Sequence, residues 1–326
     1  MCTAISLHGE RHLYGRTLDI ERSYRELAVI IPRKYEYKFL YESCGEDNLA
    51  IMGVAHVADG VPLLYDGMNE CGIYAAGLNF PERAVYTGYR EGMKNLASFE
   101  VIPYILSSCK NLAEARRVLE NANIVADSYS VSLPATPLHW FIGDRSGSIT
   151  AEPCSDGIRI YDNPIGVMTN SPELPSQILN LSNYMQCAPS PPKNSLCPSV
   201  SLSRYSSGLG GFGLPGDFSS ESRFVRAVFA KNHTVCQNFS EISSFFHIMD
   251  TVSVPLGCIL TDGGLPASTV YTSCADLEGG EFFFTTYKNS RIRGISFKSE
   301  NLNSDSIIAY TMDSAEDIDY LNTIRI

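Results

Sequence analysis

Apolar and polar residues alternate from residue 2 to residue 7, break at His8-Gly9-Glu10, and resume over 11–18. A period of two with a turn between predicts an opening β-hairpin whose free end is Cys2. Short apolar runs at 27–32, 49–57, 61–66 and 71–78 predict further strands, the last closed by Asn79-Phe80-Pro81. The spacing turns helical over 98–108, where Phe99, Ile102, Ile105 and Leu106 share a face. Asn111-Leu112-Ala113-Glu114 has the form of a capping box and predicts a second helix to about residue 121. Strands return at 139–143, 148–153, 157–161 and 166–169. A stretch rich in Pro, Ser and Gly at 187–216 predicts a long irregular loop, of a length that usually serves a site or an assembly. Helices at 221–231 and 240–252 and strands at 269–277, 281–287 and 292–297 complete the chain.

Strands, two helices, strands, two helices, strands is a segregated order. It predicts an α+β fold: two antiparallel sheets covered by helices, a four-layer αββα sandwich with the N-terminal strand in a central position. No repeat or compositional break divides the chain, so residues 1–326 read as one domain.

Composition narrows the function. The 326 residues carry a net charge of −11, the wrong sign for a nucleic-acid binder. No apolar run is long enough to span a membrane. The first residues lack the basic and apolar regions of a secretory signal, so a cytoplasmic location is expected. Ten cysteines contain no C-x-x-C pair, so zinc ribbons and thioredoxin-like chemistry are disfavoured. In a reducing compartment most of them are expected to be small buried apolar residues. H-E-x-x-H and G-x-x-x-x-G-K-[ST] are also absent, the G-x-G pattern at Gly208–Gly213 is a weak phosphate-loop candidate because no strand precedes it, and no metal or organic cofactor is expected.

Cys2 directly follows the initiator. Removal of Met1 leaves a thiol and a free α-amine on one Cα. An α-amine titrates near ~7.7–8.0 and accepts a proton at neutral pH, so one residue supplies nucleophile and base. Such a nucleophile needs a nearby cation, a group to orient the amine, and donors for a tetrahedral oxyanion. Arg16 and Asp19 offer the first two. Being three apart, they face opposite sides of a regular strand, and share a site only if the strand ends or bulges near Leu18. Asn79 and Asn170 end apolar strands, each with Pro two residues on, and offer amide donors. Arg223 lies in the first turn of a helix, where a cation opposes the helix dipole and suggests another task.

Taken in order, these segments resemble a known family. They are Met1-Cys2-Thr3, Gly15-Arg16-Thr17-Leu18-Asp19, Asp66-Gly67-Met68-Asn69-Glu70, Ala76-Gly77-Leu78-Asn79-Phe80-Pro81, Thr169-Asn170-Ser171-Pro172, Gly213-Leu214-Pro215-Gly216-Asp217, Ser222-Arg223-Phe224, Tyr271-Thr272-Ser273 and Thr285-Thr286-Tyr287. The set is similar to the choloylglycine hydrolase family of N-terminal nucleophile hydrolases, most of all to its bile salt hydrolases. The resemblance implies the αββα fold and Cys2 as nucleophile after loss of Met1. It implies Arg16 and Asp19 beside the nucleophile, Asn79 and Asn170 as the oxyanion site, and Arg223 completing the polar network. It implies cleavage of the amide joining a bile acid to glycine or taurine, with no cofactor. It further implies a homotetramer, with 187–216 as an assembly or site-rim segment. Thr17 stands where family members often carry Asn, and 187–204 departs from the family pattern. Asn79 matches bile salt hydrolases, whereas many penicillin V acylases carry Tyr there. Alternatives are an acylase for penicillin V or N-acyl homoserine lactones, a non-catalytic steroid binder, and a thiol-redox protein.

Overall fold

The computed structural model describes residues 1–43, 45, 48–236, 240–312 and 315–323. The chain opens with β1 (Cys2–His8), β2 (His12–Ile20), β3 (Leu27–Ile31), β4 (Ile51–Ala58), β5 (Val61–Asn69), β6 (Tyr74–Asn79) and β7 (Lys94–Ala97). Next come α1 (Val101–Ser108), α2 (Leu112–Glu120), β8 (Ala122–Val125), β9 (Leu138–Asp144), β10 (Gly147–Cys154), β11 (Gly157–Asp162) and β12 (Val167–Met168). The last third holds α3 (Leu174–Asn180), α4 (Ser220–His233), α5 (Glu241–Asp250), β13 (Ile259–Leu260), β14 (Pro266–Asp276), β15 (Glu281–Thr286), β16 (Asn289–Ser296) and β17 (Ile308–Thr311).

Two antiparallel sheets result. One has the order β12-β1-β2-β14-β15-β16, with β13 added on β14. The other runs β11-β10-β9-β6-β5-β4-β3-β17. Three apolar clusters mark the layers. Ile102, Ile105 and Leu119 of the first two helices pack on Val29, Ala75 and Trp140 of the eight-stranded sheet. Ala4, Tyr14 and Leu18 face Met52, Tyr74 and Phe141 between the sheets. Ile5, Leu13 and Cys274 pack against Phe224, Phe245 and Met249 of α4 and α5. β1, β2, β4, β6 and β14 thus each feed two clusters by their alternation, and the stack is the αββα sandwich that the element order predicts.

Several expectations change. The N-terminal strand is second from the sheet edge, because the two-residue β12 pairs with its outer side. The helix expected from residue 98 starts at 101, behind a turn in which Glu100 accepts the Ala97 and Leu40 amides. The short strands β7, β8 and β17 and the seven-residue α3 have too few residues to display a period. Only three of the nine described cysteines (Cys2, Cys109, Cys274) are buried, while Cys71 and Cys258 are exposed. Cys44 lies outside the described residues.

The predicted cap forms, with the reach-back bond made one residue before the N-cap. Asn111 accepts the Glu114 amide at 2.9 Å, and Glu114 accepts the Lys110 amide at 2.7 Å. Asn111→Ala is expected to cost about 1 kcal/mol of stability. The check is a lower urea midpoint at unchanged slope.

Candidate active site

β1 and β2 pair from Cys2↔Leu18 to His8↔His12, which sets Cys2 at the open end of the hairpin. Cys2 is 3% exposed and Arg16 1%, and both project between the sheets. Facing them, the β5–β6 ladder stops at Asp66↔Ala76, and Tyr65 bulges out of its pairing with β4. The carbonyls of Tyr65 and Gly77 are thereby freed beside the facing sheet. Arg16 Nη1 donates to both, at 3.2 and 2.6 Å. Its Nε donates to the Thr17 carbonyl at 3.1 Å, and its Nη2 donates to Cys2 Sγ. Burial disfavours the guanidinium charge, but the neighbouring Cys2 sulfur, then Tyr271 and Asp66, outweigh it and hold the group above its usual range. One residue therefore satisfies two orphaned carbonyls and sets a fixed cation against the thiol.

Asn170 is the second node. Its Oδ1 accepts the Cys2 amide at 2.9 Å and Arg223 Nη2 at 2.7 Å, and its Nδ2 donates to the Asn79 carbonyl at 2.7 Å. Arg223, 0% exposed, also donates to the Cys2 carbonyl at 2.5 Å, Thr3 Oγ1 at 2.7 Å and the Phe218 carbonyl at 3.0 Å. Side chains on a helix lean towards its N-terminus, so a residue in the first turn of α4 reaches the start of β1. Burial lowers the Arg223 pKa, with Asp19 and then Cys2 opposing. Oxygen acceptors answer the unfavourable dipole position noted in the sequence.

Asp19 sits on the other face of β2 from Arg16. Its carboxylate accepts from Thr269 Oγ1 at 2.7 Å and Thr17 Oγ1 at 3.1 Å, and Thr17 Oγ1 also accepts the Thr3 amide. The expected end or bulge of β2 near Leu18 does not occur. β2 continues through Ile20, and the irregularity lies in the neighbouring β14, between Thr269 and Tyr271. The strand needs no distortion because the site wraps the end of β1. Arg16 reaches the Cys2 sulfur on one face, and Asp19 with Arg223 lies on the other. With Met1 in place, its α-ammonium donates to the Asp19 carbonyl at 2.6 Å. Asn79 ends β6, and its Oδ1 is buried without a hydrogen-bond partner among the described residues.

A cavity of about 600 Å³ opens over this cluster. Met1, Cys2, Arg16, Asn79 and Asp19 line it together with apolar Leu18, Ile20, Leu63, Phe99, Leu133 and Leu138. No helix among the described residues is long and apolar enough to cross a membrane.

Two groups receive no role of their own from the sequence. Asp66 is fully buried and accepts from Tyr271 at 2.6 Å, Ser273 at 2.6 Å and Tyr74 at 3.0 Å. A carboxylate inside an apolar strand was the available signal. His139 is buried, stacks on Phe80 at 4.2 Å and meets the Thr169 carbonyl through Nε2 at 2.9 Å. It braces the turns that carry Asn79 and Asn170. Nothing in its local sequence marks it.

The sequence profile of the linear amide C–N hydrolases, choloylglycine hydrolase family, matches residues 2–310. The chain belongs to the choloylglycine hydrolase family. It is 40% identical over 317 residues to the bile salt hydrolase/transferase of Lactiplantibacillus plantarum, covering 96% of this chain and 98% of that one. The bile salt hydrolase/transferase of Clostridium perfringens is 34% identical, covering 99% and 100%. Among solved structures of the family, a cysteine-to-alanine mutant of the Clostridium perfringens conjugated bile acid hydrolase superposes with a TM-score of 0.92. It is 33% identical, and 99% of this chain and 100% of that one are covered. Penicillin V acylase from Agrobacterium tumefaciens shares the fold, with a TM-score of 0.76 at 23% identity over 95% and 91% of the chains. The family chemistry, hydrolysis of a linear C–N amide bond, is the chemistry of this chain.

Proposed function

We propose that the chain hydrolyses the amide between a bile acid and glycine or taurine, with Cys2 as nucleophile once Met1 is removed. The observation that carries this reading is the Arg16 guanidinium against the Cys2 thiol on the wall of a largely apolar cavity. A pocket of several hundred cubic ångströms with few convergent polar groups suits a rigid apolar acyl group. Relatives at 40 and 34% identity bear bile salt hydrolase names.

The thiol proton passes to the Cys2 α-amine as sulfur attacks the amide carbon. Asn79 and the second N–H of Asn170 Nδ2 receive the oxyanion. The ammonium protonates the leaving glycine or taurine nitrogen as the C–N bond breaks, leaving a thioester. Water, deprotonated by the same amine, attacks the thioester and releases the bile acid, and the proton returns to sulfur. Asn170 Oδ1, which accepts the Cys2 amide, orients the new terminus, the Asp19 carbonyl that accepts the Met1 nitrogen lies next to it, and Arg223 holds Asn170 and the Cys2 carbonyl.

The cytoplasm is the proposed location and a homotetramer the proposed assembly. Leu196, Tyr205 and Phe212 of the 187–216 loop are largely exposed, which suits burial against other copies.

Glycocholate, taurocholate and penicillin V are to be assayed side by side, with released amine read by ninhydrin. The expected result is turnover of at least one bile salt well above penicillin V. Faster penicillin V cleavage favours the acylase alternative, and bile acid binding without amine release ends the hydrolase reading.

A further inference from the structure

Four charged side chains are buried around Cys2: Arg16, Arg223, Asp19 and Asp66. Neither carboxylate touches a guanidinium. Asp19 is satisfied by threonine hydroxyls, and Asp66 by two tyrosines and a serine. A direct Arg–carboxylate pair is commonly bidentate and takes up guanidinium N–H groups. Here those N–H groups remain available to Tyr65, Gly77, Thr17 and the Cys2 sulfur.

Asp66 differs from Asp19 in its connection to Arg16. Ser273 Oγ donates to Asp66 Oδ2 and accepts the Arg16 amide at 3.2 Å. The Tyr65 carbonyl, one residue before Asp66, accepts Arg16 Nη1. The three hydroxyls around Asp66 each have one proton to give and all approach its two oxygens, an arrangement that suits an ionised carboxylate. Burial raises the Asp66 pKa, and Arg16, then the Ser273, Tyr271 and Tyr74 hydroxyls, oppose it.

We propose that Asp66 is a positioning residue that sets the reactivity of Cys2 through Arg16. It is a buried counter-charge that tempers the pull of the guanidinium on the sulfur without occupying its donors. This rests on the reading of Cys2 as nucleophile. Its physical purpose is balance. A sulfur held too firmly as thiolate is a weaker nucleophile and a better leaving group, so an untempered Arg16 would trade attack for stability. The titratable and charged groups facing the pair are Asp19 of β2, Tyr65 and Asp66 of β5, Tyr74 of β6, Arg223 of α4 and Tyr271 of β14. Of these, Asp66 is the carboxylate coupled to Arg16.

The test is Asp66→Asn in the full chain, nearly isosteric and uncharged. Iodoacetamide alkylation of the Cys2 peptide is followed by mass spectrometry across pH. Removing a negative charge near the Arg16–sulfur pair favours the thiolate, so the alkylation midpoint is expected to move about one pH unit lower. Turnover number is expected to fall on the order of tenfold, with KM within about threefold. Ser273→Ala, which cuts the link but keeps the charge, is expected to leave the midpoint in place. An unmoved midpoint in Asp66→Asn with a lowered melting temperature makes Asp66 a structural pin and overturns the proposal. A midpoint moved upward does so too, since Arg16 would then have been released. If alkylating wild-type Cys2 leaves bile salt hydrolysis intact, the nucleophile assignment fails separately, and the wild-type-to-variant comparison still decides what Asp66 does.

Discussion

Cys2→Ala is expected to lower hydrolysis by about a thousandfold or more, with the fold unchanged. In the proposed mechanism the thiol is both the attacking atom and the anchor of the thioester, and it is the sulfur that the Arg16 guanidinium is set against. Alanine is small at a site that is 3% exposed, so packing losses are slight. The measurement is single-turnover release of glycine or taurine, against wild type purified in parallel. Intact mass must also place the mature terminus at Cys2. Turnover surviving in clean Cys2→Ala protein, or full activity in protein that retains Met1, removes the mechanism. With Met1 attached the Cys2 nitrogen is a peptide amide, which donates to Asn170 and whose lone pair is delocalised into the carbonyl, so it cannot act as a base.

Arg16→Leu is expected to be the second most severe change, because one side chain holds four partners. The Tyr65, Gly77 and Thr17 carbonyls lose a donor, and the Cys2 sulfur loses its cation. Leaving a buried carbonyl without its donor typically costs about 1–3 kcal/mol. Hydrolysis is expected to fall at least about a hundredfold, and the Cys2 alkylation midpoint to move to higher pH, opposite to the Asp66→Asn shift. Arg16→Lys is expected to recover little, since a compact ammonium cannot serve carbonyls and sulfur in a planar fork. Denaturant unfolding and the alkylation profile check the two halves separately. Near-normal turnover in Arg16→Leu would falsify the role of the guanidinium at the thiol.

Much of the fold was legible because its signals are local. The hairpin of β1 and β2 follows from alternation around Gly9, and α2 from its capping box, both settled within a dozen residues. Elements of four residues such as β7 and β8 were not legible. They hold their shape by pairing with each other across 24 residues of intervening chain, which includes two helices, and by no period of their own. The cysteines misled for a related reason. A small apolar residue can be buried, and whether it is depends on what packs over it.

At the site, the chain order of Cys2, Arg16, Asp19, Asn79, Asn170 and Arg223 was enough to nominate them, since residue type and motif survive in one dimension. Their convergence was not legible. Asn170 meets Cys2 across 168 positions and Arg223 meets it across 221. Asp66 entered only as part of a motif, because its importance lies in three hydroxyls from two other strands.

The sequence by itself determined the layer plan and nominated the nucleophile, because hydrophobic period and the identity of the first residues are written along the chain. Only the tertiary structure decided that Arg16 and Asp19 act from opposite faces of one undistorted strand. It alone also revealed that the broken β5–β6 ladder aims Arg16 at the sulfur. Both follow from unsatisfied backbone carbonyls and charges seeking partners in space, across separations that no local pattern records.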